Sequence, residues 1–231
     1  MAGQGEGSLA VEPDGRATRW DEHKSERREL ILDAAIAAVS EGGAEVGVQH
    51  IAERAGLPRS VVYRIFRDRE DLDEQIRSRI VDQLMMDLAP ALTPRGTLQH
   101  WVTRAVETYL GWVIEFPRLH QFLGSGSASR RTTGSRVVTG TKTAIAAQLA
   151  EFMKDTLRRA EADTGVSEPL AFGLIGLVDG SVNRWVSNPS PSMSSTQLGE
   201  FLADSIWQVL CSTLASEGLN ITSETTLDDL G

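Results

Sequence analysis

From Ser25 onward, apolar and polar positions follow a helical period. In "SERRELILDAAIAAVSEGG" the residues Ile31, Ala35 and Val39 recur every four, with Ala34 and Ala38 beside them, so one apolar stripe runs along a 3.6-residue repeat. Ser25 suits an N-cap, and Gly42 and Gly43 can take the left-handed conformation that ends a helix. A short second helix fits "VQHIAERAG", with Ile51, Ala52 and Ala55 on one side and Gly56 free to adopt positive φ in the turn. Pro58 sets φ at the start of a third, "RSVVYRIF", whose Val62 and Phe66 should bury against the first helix. Two short helices separated by about four residues around a glycine make a helix-turn-helix pattern.

The helical pattern continues past Asp68. "REDLDEQIRSRIVDQLMMDLA" runs to Pro90, and its early acids Glu70, Asp71, Asp73 and Glu74 suit a helix N-terminus. "TLQHWVTRAVETYLGWVIEF" stops before Pro117, "PRLHQFL" makes two short turns, and "GSGSASRRTTGS" is a polar loop. One long helix is expected for "RVVTGTKTAIAAQLAEFMKDTLRRAEADTG", another for "EPLAFGLIGLVDGSVNRWVS", and a last for "STQLGEFLADSIWQVLCSTLASEG". No stretch alternates convincingly enough for a strand, so the expected class is all-α. The expected organisation is a disordered tail at 1–22, a helix-turn-helix domain at 23–69, a larger helical domain at 70–218 and an acidic tail at 219–231.

Composition narrows the function without choosing it. The 231 residues are 41% hydrophobic, enough for a real core, and carry 23 basic against 32 acidic side chains, net -9. That balance excludes a generally basic nucleic-acid binder but not a protein that touches DNA with one small face. Cys211 is alone, which permits no intrachain disulfide and suits a reducing cytoplasm. The start, "MAGQGEGSLAVEPDGR", does not read as a secretory signal, and the apolar run "AFGLIGLV" falls far short of the roughly 20 residues of a membrane span. Enzyme chemistry finds no footing. The four histidines are scattered, Cys211 sits in an apolar helix, and "GSGSAS" lacks the preceding strand and following Gly-Lys of a phosphate loop. No catalytic group, metal site or cofactor is expected.

Local charge does change the picture. Between Gly47 and Arg69 the five arginines Arg54, Arg59, Arg64, Arg67 and Arg69 face two acids, Glu53 and Asp68, a local excess of +3. On a helix starting near Arg59, residues Arg59, Ser60, Tyr63 and Arg64 share one side while Val62 and Phe66 face inward. That arrangement fits a major groove, the hydroxyls reaching phosphates and the guanidinium forks reaching phosphate or guanine edges. A solvated charged face with Tyr63 packing against it is the bland alternative. Arg16, Arg19 and Lys24 could also approach a phosphate as a basic arm.

"ILDAAIAAVSEGG" and "IAERAGLPRSVVYRIFRDREDL" (Ile51 to Leu72) resemble the amino-terminal module of the TetR family of bacterial transcriptional regulators. The likeness covers roughly residues 25 to 75; the remainder matches only in the order of its helices. It implies DNA contacts from Gly47 and Val48 at the second helix and a phosphate contact from Arg69 at the fourth. Three positions depart from the family pattern: Gly47 stands where a capping Thr or Ser is usual, Pro58 where a Ser is common, and Ile65 where a polar residue is common. Two modules related by a twofold axis would read a palindromic operator, which calls for a homodimer. The last two long helices are the expected interface, through Gly176 and Gly180 and the stripe Leu198, Phe201, Leu202, Ile206 and Leu210.

The resemblance also implies an effector cavity for a small, largely apolar molecule in the larger domain. Its expected lining is Trp101, Thr108, Tyr109, Trp112, Phe116, His120, Phe122, Asp179 and Asn183, with residues 70–89 as the lever to the reading head. A helical adaptor that binds no DNA is the competing reading.

Overall fold

The computed structural model describes residues 15–124 and 135–230. Helix α1 (Gly15–Gly42) is followed by α2 (Val48–Arg54), α3 (Arg59–Ile65), α4 (Arg69–Leu92) and α5 (Leu98–Glu115). Then come α6 (Pro117–Gly124), α7 (Arg136–Arg159), α8 (Ser167–Val186), α9 (Ser195–Ser216) and the short α10 (Leu227–Leu230). The fold is all-α; a single isolated bridge, Thr97 to Thr226, is the extended pairing among the described residues.

Seven-residue helices such as α2 and α3 cannot hold themselves in water. They persist because Ile31, Ala35, Ala38 and Val39 of α1 are wholly enclosed, together with Ile51, Ala52, Val62 and Phe66. Each large side chain so buried contributes roughly 1.5–3 kcal/mol. Gly56 carries the turn between α2 and α3 at φ 65°, and Gly43 closes α1 at φ 78°, both conformations that a Cβ disfavours.

Side-chain caps mark where most longer helices begin. Asp68 accepts from the Asp71 amide, Thr97 from His100 and Ser135 from Val138, while Ser194 and Gln197 form a reciprocal capping box. α4 packs against α1 on one side and against α5, α6 and α7 on the other; α7 pairs with α8, and α5 with α9. One buried cluster therefore runs without a break from Ile31 through Ile76 and Ile80 to Val113, Leu174 and Leu202.

Three expectations are corrected. The first helix starts at Gly15 and not Ser25, because nothing between Pro13 and Ser25 interrupts a helix and Ser25 lies inside it; residues 1–14 of the expected tail lie outside the described residues. Residues 117–124 form one helix, not two separate turns. As expected, the third helix starts at Arg59, with Pro58 at its N-cap. The carboxy-terminal stretch, expected as an acidic tail, is packed against the bundle. Leu227 and Leu230 are buried with Leu98 and Trp101, and Leu219 and Ile221 pack on the same cluster. The Leu230 carbonyl accepts from Thr156 Oγ1 at 3.2 Å and Arg159 Nη1 at 3.0 Å. Its acids stay outside while its leucines go in. The polar loop expected at 124–135 falls almost wholly outside the described residues.

Replacing Leu227 with Ala is expected to lower unfolding free energy by about 2–5 kcal/mol, as measured by urea denaturation. A freely solvated tail would give no change.

Candidate functional site

The five arginines of the module are not equivalent. Arg54, at the end of α2, forks onto both oxygens of Glu41 in α1 at 2.6 Å each. Arg67 pairs with Asp71 at 3.4 Å. Arg69 donates to Asp73 at 2.8 Å and to the Val46 carbonyl at 2.8 Å, tying the start of α4 to the segment before α2. Arg69, from which the resemblance implies a phosphate contact, thus commits Nε and one Nη inside the module, beside a carboxylate that is only 4% exposed. Burial pushes the Asp73 carboxyl above its ordinary range, and Arg69 opposes that shift. The sequence excess of +3 is largely neutralised by Glu41, Asp71 and Asp73, none of which lies within residues 47–69.

What remains outward is a small face. Arg59, Ser60, Tyr63 and Arg64 are all exposed on α3, and Tyr63 keeps 42% of its surface despite its size. Arg59 reaches the Tyr63 hydroxyl at 3.2 Å and stacks its guanidinium 5.3 Å from the ring centroid, so the two side chains are held as one unit. Gly47 caps α2 without a side-chain bond and is exposed, whereas the Val48 side chain is buried, leaving only backbone for an outside partner. Ile65 is half-buried against the core, which explains an apolar residue there. The side chains of Arg16 and Arg19 lie outside the described residues.

A cavity of about 980 Å³ opens between α4, α5, α7, α8 and α9. Trp101, Tyr109, His120, Asp179 and Asn183 line it as expected from sequence. Thr108, Trp112, Phe116 and Phe122 do not. The Thr108 hydroxyl turns back to the Arg104 carbonyl at 2.8 Å. Trp112 is buried in the core against Phe116, ring centroids 5.7 Å apart, and Phe122 lies under the Arg77 guanidinium at 4.9 Å. Trp101 and Trp112 share a nominal helix face, but they serve separate clusters. Residues that sequence periodicity missed include Leu84, Met85 and Leu88 of α4 and Lys142, Ile145 and Leu149 of α7. The packing of α4 against α5 and α7, and of α7 against α8, selects these faces.

The polar groups of the cavity gather together. Tyr109 Oη lies 3.1 Å from His120 Nε2, Lys142 Nζ is 2.6 Å from Asp179 Oδ1, and Asn183 Nδ2 donates to the same oxygen at 2.8 Å. Burial raises the Tyr109 phenol, helped by the Asp179 charge. Burial also lowers His120 below its ordinary value, with Lys142 acting the same way and Asp179 opposing.

Two routes join this cavity to the module. From α6, whose His120 lines the cavity, Arg118 donates to the Ser40 and Glu41 carbonyls at the end of α1, and Glu41 is the residue that holds Arg54 of α2. From α4, whose Leu84 and Leu88 line it, Arg79 reaches Glu29 at 3.1 Å and Asp33 at 3.5 Å on α1. Glu74 accepts from the Val137 amide at 2.9 Å, which fastens the start of α7.

The expected dimer stripe divides in the same way. Leu198, Leu202, Ile206 and Leu210 face inward and are 0–7% exposed, because α9 needs them against α5. Gly176, Gly180 and Phe201 remain outside, Phe201 at 46%, with Phe172 and Val209 exposed near them in sequence.

Because His120 takes its proton less readily when folded, the unfolded chain binds more protons between the lowered native value and 6.5. Stability should be level above pH 7 and fall as pH drops through 6.5. In His120→Gln that component of the fall should vanish, which urea midpoints measured across pH will show.

Residues 31–76 match the family model described as bacterial regulatory proteins, tetR family. An uncharacterised HTH-type transcriptional regulator of Mycobacterium tuberculosis is 29% identical over 212 residues, 91% of this chain and 88% of that one. A tetR-family regulator structure from Streptomyces coelicolor aligns at TM-score 0.66 with 20% identity, covering 84% of each chain. The structure of the multidrug binding protein EbrR complexed with imidazole aligns at 0.57 with 22% identity, covering 79% of this chain and 94% of that one. At such identities the solved structures speak for the fold. No helix among the described residues is long and apolar enough to cross a membrane. Residues 31–76 therefore carry the amino-terminal helix-turn-helix domain of the TetR family of transcriptional regulators, and the chain as a whole resembles such regulators in sequence and shares their all-α fold.

Proposed function

We propose that this regulator is an effector-responsive repressor that binds a palindromic operator as a homodimer and releases it when an apolar small molecule enters the cavity. The observation that carries the proposal is the pairing of an outward Arg59–Tyr63–Arg64 face with a large cavity bonded to the same module through α4 and α6. One copy of α3 reads only a few base pairs, so useful specificity needs a second copy at a fixed spacing. The exposed α8–α9 surface with Gly176, Gly180, Phe201, Phe172 and Val209 suits that second copy, small residues admitting the partner helix and large ones filling beside them.

In this reading the DNA-binding groups are Arg59, Ser60, Tyr63 and Arg64, with the exposed Gly47 and the Val48 backbone at the second helix. Arg69 positions them from behind. The domains divide near residue 69 in role, since reading lies before it and sensing after it. An effector acts only through its differential affinity for a second spacing of the reading heads. The multidrug binding protein of the same fold shows that a relative of this shape takes a small molecule. An adaptor without DNA binding would have no use for an exposed tyrosine held by arginine.

Arg59→Ala and Arg64→Ala are each expected to weaken binding to the operator by about 1–3 kcal/mol, measured by fluorescence anisotropy at fixed salt, with melting temperature unchanged. Arg69→Ala should instead cost about 3 kcal/mol of fold stability, since it strands the buried Asp73 carboxylate. DNA affinity unmoved by the first two changes would sink the proposal. Phe201→Glu places a charge on the exposed face and should convert the dimer to monomer in sedimentation experiments. A dimer that persists would put the interface elsewhere.

A further inference from the structure

We infer that the effector carries an uncharged, hydrogen-bonding head on an elongated apolar body. The inference rests on the effector-cavity reading above and deepens it. On α5 the lining runs from Leu98 to Tyr109, eleven residues or roughly 16 Å of helix. At the Leu98 end the walls are apolar: Trp101 meets Phe152 edge-on at 5.4 Å, and Leu230 closes beside them. The one hydroxyl buried there, Thr156 Oγ1, is already committed to the Phe152 and Leu230 carbonyls. Apart from the buried Trp101 indole N–H, which has no partner, such walls reward an apolar chain.

The Tyr109 end supplies the polar contacts and sets their charge. Among the described residues that line the cavity, the charged side chains are Lys142 and Asp179, and they pair with each other at 2.6 Å. Both keep part of their surface, 40% and 30% of the side chain, so each has bonding capacity left toward a guest. Lys142 retains N–H donors, and Asp179 retains its second oxygen, since Asn183 donates to the oxygen Lys142 already holds. Tyr109 and His120 add a neutral hydroxyl and a neutral imidazole.

This end has no net charge and offers donors and acceptors side by side. A hydroxyl, ketone, ester or lactone is matched by it. A carboxylate would press on Asp179, and an ammonium on Lys142, and either would leave one charge of the pair without its partner.

Three probes of one chain length on the full-length protein test the assignment: decanol, decanoate and decylammonium at pH 8, followed by calorimetry and by quenching of tryptophan fluorescence. Decanol is expected to bind about tenfold or more tightly than either ion, a difference of about 1.4 kcal/mol. Asp179→Asn, which leaves Lys142 unopposed, should shift preference to decanoate. Lys142→Met, which leaves Asp179 unopposed, should shift it to decylammonium. Equal binding of decanoate and decanol by the unaltered protein overturns the head-group assignment and leaves the cavity reading standing. So do variants that fold, by circular dichroism, yet keep the original order. Binding of none of the three overturns the effector cavity itself, and the head-group assignment falls with it.

Discussion

Helix α4 presents apolar residues to more than one neighbouring helix, and the fold follows from the need to bury them. Leu72, Ile76 and Ile80 are at most 1% exposed, while Leu84 and Leu88, further along, border the cavity. A helix buried this way cannot belong to one domain only. It joins the core under α2 and α3 to the bundle behind it, so a displacement at the cavity end is not free to dissipate in a linker. Close-packed interiors respond to such displacements by switching between arrangements and not by smooth yielding, which suits a regulator.

Charge placement supports the same division of labour. Arg77 is 2% exposed, lies on the Phe122 ring and reaches the Phe122 carbonyl and Glu74, so a cation is committed at the junction of α4 and α6. Arg54, Arg69 and Arg118 hold α2, α4 and α6 to the module by carboxylates or backbone carbonyls. These arginines tie elements of the fold to one another. Their neutralisation leaves the outward face of α3 as a small, defined basic unit on a protein of net charge -9.

The carboxy-terminal segment shows how composition misleads. Residues 219–231 carry the acids Glu224, Asp228 and Asp229, yet Leu219, Ile221, Leu227 and Leu230 pack in one cluster with Leu98 and Trp101, and Leu230 borders the cavity. The turn that delivers them is held locally: Thr226 and Asp229 bond each other's side chain and amide, and the Leu227 amide donates to the Gly96 carbonyl. A few leucines among charges carry little periodic signal, because a four-residue helix is too short to display one.

What the sequence determined by itself was whatever depends on near neighbours. The stripe Ile31–Ala35–Val39, the glycine turn at Gly56, the stops near Pro117 and Pro189 and the outward set Arg59, Ser60, Tyr63 and Arg64 all follow from helical period and backbone chemistry, which act over a turn or two. The family resemblance was legible over the same short range. Tertiary structure alone decided which arginines are spent, since Glu41, Asp71 and Asp73 compete for them from outside the motif. It decided that Trp112 and Phe122 serve the core while Trp101 faces the cavity, and that the leucines of α9 turn inward to α5 while Phe201 stays outside. An apolar stripe specifies that a face will be buried. It carries no information about which surface will bury it, because that is settled by contacts between residues far apart in the chain.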